Sequence, residues 1–168
     1  FKNGSSSSSI LHWPSSRALE YLVKYLRTTL LHLDLSGTTV LTEALKELST
    51  MNHLLTLNLK GCIHITNDIF LHLPNWKLQE LNISYITAIE YTNGLENITP
   101  CEELKILKMN GCIRIKDNEL LLLLLTNLNK LNTLEIQHCP LITTNGSLKQ
   151  IISAKPISER IILTPSPK

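Results

Sequence analysis

The stretch that decides the fold is Leu54-Leu55-Thr56-Leu57-Asn58-Leu59-Lys60-Gly61-Cys62-Ile63-His64-Ile65. From Thr56 to Lys60 polar and apolar side chains alternate, the period-two pattern of a short strand with one face buried. Cys62 and Ile65 then turn apolar side chains inward as the chain leaves the strand. The phrase returns as Leu104, Leu107, Met109, Cys112 and Ile115, and again as Leu131, Leu134, Ile136, Cys139 and Ile142. Two looser copies complete the series: Leu30, Leu33, Leu35 and Thr38, and Leu78, Leu81, Ile83, Ile86 and Ile89. The five copies start 24, 24, 26 and 27 residues apart. Self-similarity at such a period is the signature of a stacked array.

Between the strand phrases the sequence turns helical. Thr42–Ser49 places Leu45 and Leu48 at helix spacing, Asp117–Leu128 carries a leucine run behind an acidic first turn, and Asn145–Ser153 gathers Leu148, Ile151 and Ile152 on one face. Asn67–Leu73 and Ala88–Ile98 are shorter, and Gly94 weakens the latter. One strand and one helix cannot bury both their apolar faces alone. Stacking them predicts an α/β fold, a solenoid arc with a parallel sheet on the concave side and helices on the convex side. An apolar face over Ser16–Arg27, made by Ala18, Leu19, Leu22, Val23 and Leu26, predicts a helix that caps the front. The β-rich Ile157–Leu163 predicts a strand that closes the back.

These phrases resemble the leucine-rich repeat superfamily, and within it the cysteine-containing subclass. The motif is specific in Leu54–Ile65, Leu104–Ile115 and Leu131–Ile142, and departs from the pattern where Thr38 and Ile86 replace Cys. The resemblance implies a single leucine-rich-repeat domain over 17–163: a cap helix over 17–29, five repeats over 30–153 and a terminal strand over 157–163. Residues 1–16 read as a Ser-rich tail and 164–168 as a second tail. The subclass is best known as the substrate-recognition arc of F-box proteins in ubiquitin ligases. It is also similar to the repeat domain of small assembly factors of mitochondrial inner-membrane complexes. The resemblance thus implies a non-enzymatic protein–protein interaction module. Two roles stay open: the recognition arc of an F-box-type ligase subunit, and a structural accessory or assembly subunit of a large complex.

Composition narrows the partners. The 168 residues carry 16 basic and 14 acidic side chains, a net charge of +2, which argues against a strongly cationic nucleic-acid binder. Aromatics are only 5% while 34 Leu and 18 Ile supply the core, so base-stacking platforms are not expected. The longest apolar run, Leu120 to Leu125, is far short of the ~20 residues of a membrane span. Protein partners are therefore expected, with no nucleic acid, no membrane insertion and no small-molecule substrate. Four cysteines without disulfide-scaffold density suggest reduced thiols in an intracellular compartment, cytoplasmic or mitochondrial.

No catalytic, cofactor or metal site is expected. The glycines are isolated, with neither a phosphate-binding loop nor a nucleophile elbow. Cys62, His64, His138 and Cys139 lie three repeats apart, too far for a ~2.3 Å zinc–sulfur sphere. Cys101, before Glu102 and Glu103, reads as a loop thiol in surroundings that are not basic enough to activate it. The strand positions facing away from the core are more informative. Across the copies they form three rows: His32, Thr56, Glu80, Ile106 and Thr133; Asp34, Asn58, Asn82, Lys108 and Glu135; Ser36, Lys60, Ser84, Asn110 and Gln137. These fifteen mostly polar side chains of mixed charge suit a protein partner that meets hydrogen-bonding groups. Trp76, after Pro74, is the candidate exposed anchor, with burial over the core as its alternative.

Overall fold

The computed structural model describes residues 15–73, 76–90, 95–115, 126–142 and 161–162. Strands β1 (His32–Asp34), β2 (Thr56–Asn58), β3 (Glu80–Asn82), β4 (Ile106–Lys108), β5 (Thr133–Glu135) and β6 (Ile161–Ile162) form one parallel sheet in sequence order. Each strand pairs with its counterpart one repeat on, so His32, Thr56, Glu80, Ile106 and Thr133 lie side by side. Each period of the chain thus contributes one strand, and we call each strand with its return segment a coil. The strands are short, but the ladder continues past them. Leu35 N–H donates to Asn58 O at 2.8 Å, Leu59 to Asn82 at 2.8 Å, Ile83 to Lys108 at 2.9 Å and Met109 to Glu135 at 2.7 Å.

The core follows from the alternation. Leu33, Leu57, Leu81, Leu107 and Leu134 are the buried centres of the first five strands, and Leu35, Leu59, Ile83, Met109 and Ile136 form a second buried column beside them. Below these lie Thr38, Cys62, Ile86, Cys112 and Cys139, then Ile65, Ile89 and Ile115. A side chain in this stack touches its own coil and its neighbours, so most of its apolar area leaves water only when the coils assemble.

The return segments are shorter and tighter than the sequence predicts. The front cap α1 spans Ser15–Leu26, with Leu19 in the core and Leu22 and Val23 packed against it. In the stretch read as a helix over Thr42–Ser49, α2 covers only Thr42–Leu45 and a 3₁₀ turn takes over at Lys46–Thr50. Asn67–Leu71 and Leu95–Ile98 are also 3₁₀, and 88–90 is not helical. A 3₁₀ helix rises ~2.0 Å per residue against ~1.5 Å for an α-helix, so it spans the back of a short coil with fewer residues. The helical back expected for most coils is thus corrected to mainly 3₁₀ turns among the described residues. The helices read over 145–153 and over most of Asp117–Leu128 lie outside the described residues. The terminal strand read over 157–163 is described only at Ile161–Ile162.

Candidate functional site: the outer face of the sheet

The outer side chains of the strands stand in the rows that the repeat predicts. In the first row His32 Nδ1 and Thr56 Oγ1 are 2.8 Å apart. Glu80 in that row reaches diagonally to Lys108 in the second, Oε1 to Nζ 2.9 Å. This bond and the Glu80 charge hold the Lys108 ammonium above its ordinary pKa, outweighing partial burial. Ile106 and Thr133 continue the first row as half-buried side chains.

In the second row Asp34, Asn58 and Asn82 serve the backbone. Asp34 Oδ1 accepts from Ser36 N–H at 2.9 Å, Asn58 Oδ1 from Lys60 N–H at 3.1 Å, and Asn82 Oδ1 from Ser84 N–H at 3.0 Å. These Asx turns bend the chain out of the strand. Partial burial raises the Asp34 pKa, but hydrogen bonds from the Ser36 hydroxyl and N–H and from Asn58 more than offset it, leaving the carboxyl below its ordinary value. In the last two coils the position holds Lys108 and Glu135, and the turn is satisfied from the coil before. Asn110 N–H donates to Ser84 Oγ at 3.1 Å, and Gln137 N–H to Asn110 Oδ1 at 2.7 Å. Asn110 Nδ2 also donates to Glu135 Oε2 at 2.8 Å, so a single amide ties the fourth coil to the fifth.

Two of the candidate surface residues are buried instead. Ser84 was placed on the exposed third row, but it is 2% exposed, its hydroxyl covered by the turn that it caps. Trp76 is 3% exposed and packs into the core, so it is no anchor. Its indole Nε1–H is buried without a hydrogen-bond partner among the described residues. Cys101 sits in a loop, as the sequence predicts, and is buried there; burial pushes its pKa up to about 11.

The inner cysteines have a backbone task. The Sγ of Cys62 donates to Leu35 O at 3.0 Å, that of Cys112 to Ile83 O at 3.4 Å, and that of Cys139 to Met109 O at 3.2 Å. Each thiol thus meets a strand-end carbonyl of the preceding coil. In the first coil Thr38 Oγ1 donates to Leu35 O of its own coil at 2.7 Å. Burial raises all three thiols, Cys112 to about 12, which suppresses the thiolate that chemistry or metal binding would need. Among the described residues no three His, Cys, Asp or Glu side chains gather where they could hold a metal ion.

One column escaped the sequence reading. The residue before the inner Cys, Thr or Ile is left-handed in every coil: Gly37, Gly61, Tyr85, Gly111 and His138, with φ of 67°, 69°, 60°, 66° and 57°. The signal was visible, since three of the five are Gly. What the register alone could not say is that Tyr85 and His138 take the same backbone form.

No family model matches the chain. It is similar to F-box/LRR-repeat protein 4 of Bos taurus, 25% identical over 162 residues that cover 91% of this chain and 26% of that protein. The chain thus spans about a quarter of the length of this curated relative. At that identity the likeness supports a leucine-rich-repeat type of relationship and no closer one. No helix among the described residues is long and apolar enough to cross a membrane.

Proposed function

We propose that this chain is a leucine-rich-repeat solenoid, with 17–163 as its folded unit, that works as a non-enzymatic protein–protein interaction module. The observation that carries the reading is the outer face of the sheet. It sets polar side chains of both signs in fixed register on consecutive strands, held by ladder and cross-coil bonds before any partner arrives. A preorganised surface of this kind binds with little ordering cost. Of the rows read from the sequence, His32, Thr56, Glu80, Ile106, Lys108, Thr133, Glu135 and Gln137 are the residues we assign to contact. Asp34, Asn58, Asn82 and Asn110 position the turns that carry them.

Within that reading we favour the substrate-recognition arc of an F-box-type ubiquitin ligase subunit, on the likeness to a protein of that name. The test is crosslinked affinity capture of the full-length gene product from its native source, read by mass spectrometry. Recovery of a ligase adaptor and cullin scaffold is the expected result. Recovery instead of the subunits of one organellar complex would replace the ligase role with a structural accessory role.

A further inference from the structure

We propose that the ridge of turns leaving the sheet, centred on Tyr85, docks a partner segment that combines acidic and apolar side chains. The inference rests on the reading of the chain as a protein-binding module, but it centres on the turns at the strand exits, with Lys60 of the third row at their edge.

Tyr85 stands where three of the other four coils hold Gly. Its φ of 60° matches Gly37, Gly61 and Gly111 at the equivalent positions, and a bulky L-residue there bears a steric cost that glycine avoids. The ring does not serve the core either, since the residue is 44% exposed. It lies across the next turn, over Gly111, where a Cβ would have no room. Lys60 sets its ammonium 5.4 Å from the ring centroid. The turns of the coils before and after hold Ile63, 61% exposed, and Ile113, 47% exposed, and Leu141 is exposed in the turn of the fifth coil. With strands ~4.8 Å apart, Ile63 and Ile113 fall about 10 Å from each other, with the third coil between them.

The charge on this ridge has one sign. The turn segments 36–40, 60–64, 84–88, 110–114 and 137–141 contain Lys60, His64, Arg114 and His138 and no Asp or Glu. The neighbouring Glu90 is held by Arg114. The sheet carboxylates Asp34, Glu80 and Glu135 are engaged by Ser36, Lys108 and Asn110. An exposed Tyr with flanking aliphatics and the Lys60 ammonium beside it, in turns that hold no carboxylate, complements a segment in which carboxylates flank apolar anchors, and Tyr is a favoured hot-spot residue.

The test is fluorescence anisotropy of the whole chain with labelled synthetic peptides in which Leu or Phe alternates with Asp and Glu. The same peptides with Lys for every acid serve as the charge control. The acidic peptides should bind, and the Lys peptides should bind at least about tenfold more weakly. Tyr85→Gly removes the ring while suiting the left-handed backbone. Lys60→Glu reverses an exposed charge at no cost to the core. Each should weaken binding by about tenfold or more, the size expected of a hot-spot truncation. Lys46→Glu, on the 3₁₀ return far from the ridge, should leave binding unchanged. Equal binding of the Lys peptides, unaltered binding by both ridge variants, or no binding of the acidic peptides would overturn the proposal. Loss of binding in Thr56→Arg but in neither ridge variant would also overturn it, while leaving the protein-binding reading intact on the sheet face.

Discussion

The first three coils and the last two solve the same turn in different ways. In the first three, Asp34, Asn58 and Asn82 each accept a hydrogen bond from the N–H two residues on, so every coil closes its own strand exit. In the last two, Lys108 and Glu135 stand at that position, and Ser84 Oγ and Asn110 Oδ1 of the preceding coil accept instead. Local closure spends a polar side chain of the outer face on the backbone. Closure by the neighbour frees the position for charge, and the freed residues make the Glu80–Lys108 pair and the Asn110–Glu135 bond. The price is that the last coils depend on one another, whereas the first coils are capped one at a time.

The comparison can be broken most forcefully in the core, where the two regions should not differ. Leu57→Ala in the second coil and Leu107→Ala in the fourth should each cost ~2–5 kcal/mol in urea denaturation, as truncations of fully buried leucines. Leu30→Ala, at a half-buried position beside the front cap, should cost less. A cost below ~1 kcal/mol at both inner sites would refute the register. At the turns the regions should part. Asn110→Ala removes two cross-coil hydrogen bonds and should cost about 1–3 kcal/mol, while Asn82→Ala removes one local bond and should cost about 0.5–1.5 kcal/mol. Equal losses would show that neighbour closure couples the coils no more than local closure does. The Glu80–Lys108 pair is partly exposed, so a double-mutant cycle should give a coupling of only ~0.2–1 kcal/mol, weakened by salt.

Acid sharpens the contrast at the smallest scale. The folded-state pKa of Asp34 lies below its unfolded value. Its ionised form therefore stabilises the fold above the ordinary Asp pKa of about 4, and that contribution is lost as pH falls through the lower folded value. Asp34→Asn keeps the acceptor used by Asn58 and Asn82 but cannot titrate. The variant should show a shallower loss of stability below about pH 4, with little change at neutral pH, in melts across that range.

The repeat made the strand register legible, because Leu at every second position has one buried face and a one-residue slip would expose the whole column. The front helix was legible from the face formed by Leu19, Leu22 and Val23. The return segments were read too helical. Leu45 and Leu48 fit an α-helix and a 3₁₀ turn alike over so short a span, and the length of the coil decides between them. The sheet rows could be listed in advance, but not the division of labour within them. Whether Asn58 faces a partner or caps its own turn depends on a side-chain torsion that no spacing encodes. Trp76 takes the buried alternative for a related reason: a loop position after Pro74 says nothing about which way an indole turns.

The central claim is that the outer face of the sheet meets a protein partner. It is tested most directly by photo-crosslinking in the native source. A benzophenone side chain is placed at Thr56 or Thr133 on that face, or at Glu47 on the opposite side of the coil, in otherwise full-length protein. The account predicts that Thr56 and Thr133 crosslink to one and the same partner and that Glu47 does not. A partner captured from Glu47 and from neither sheet position would contradict it.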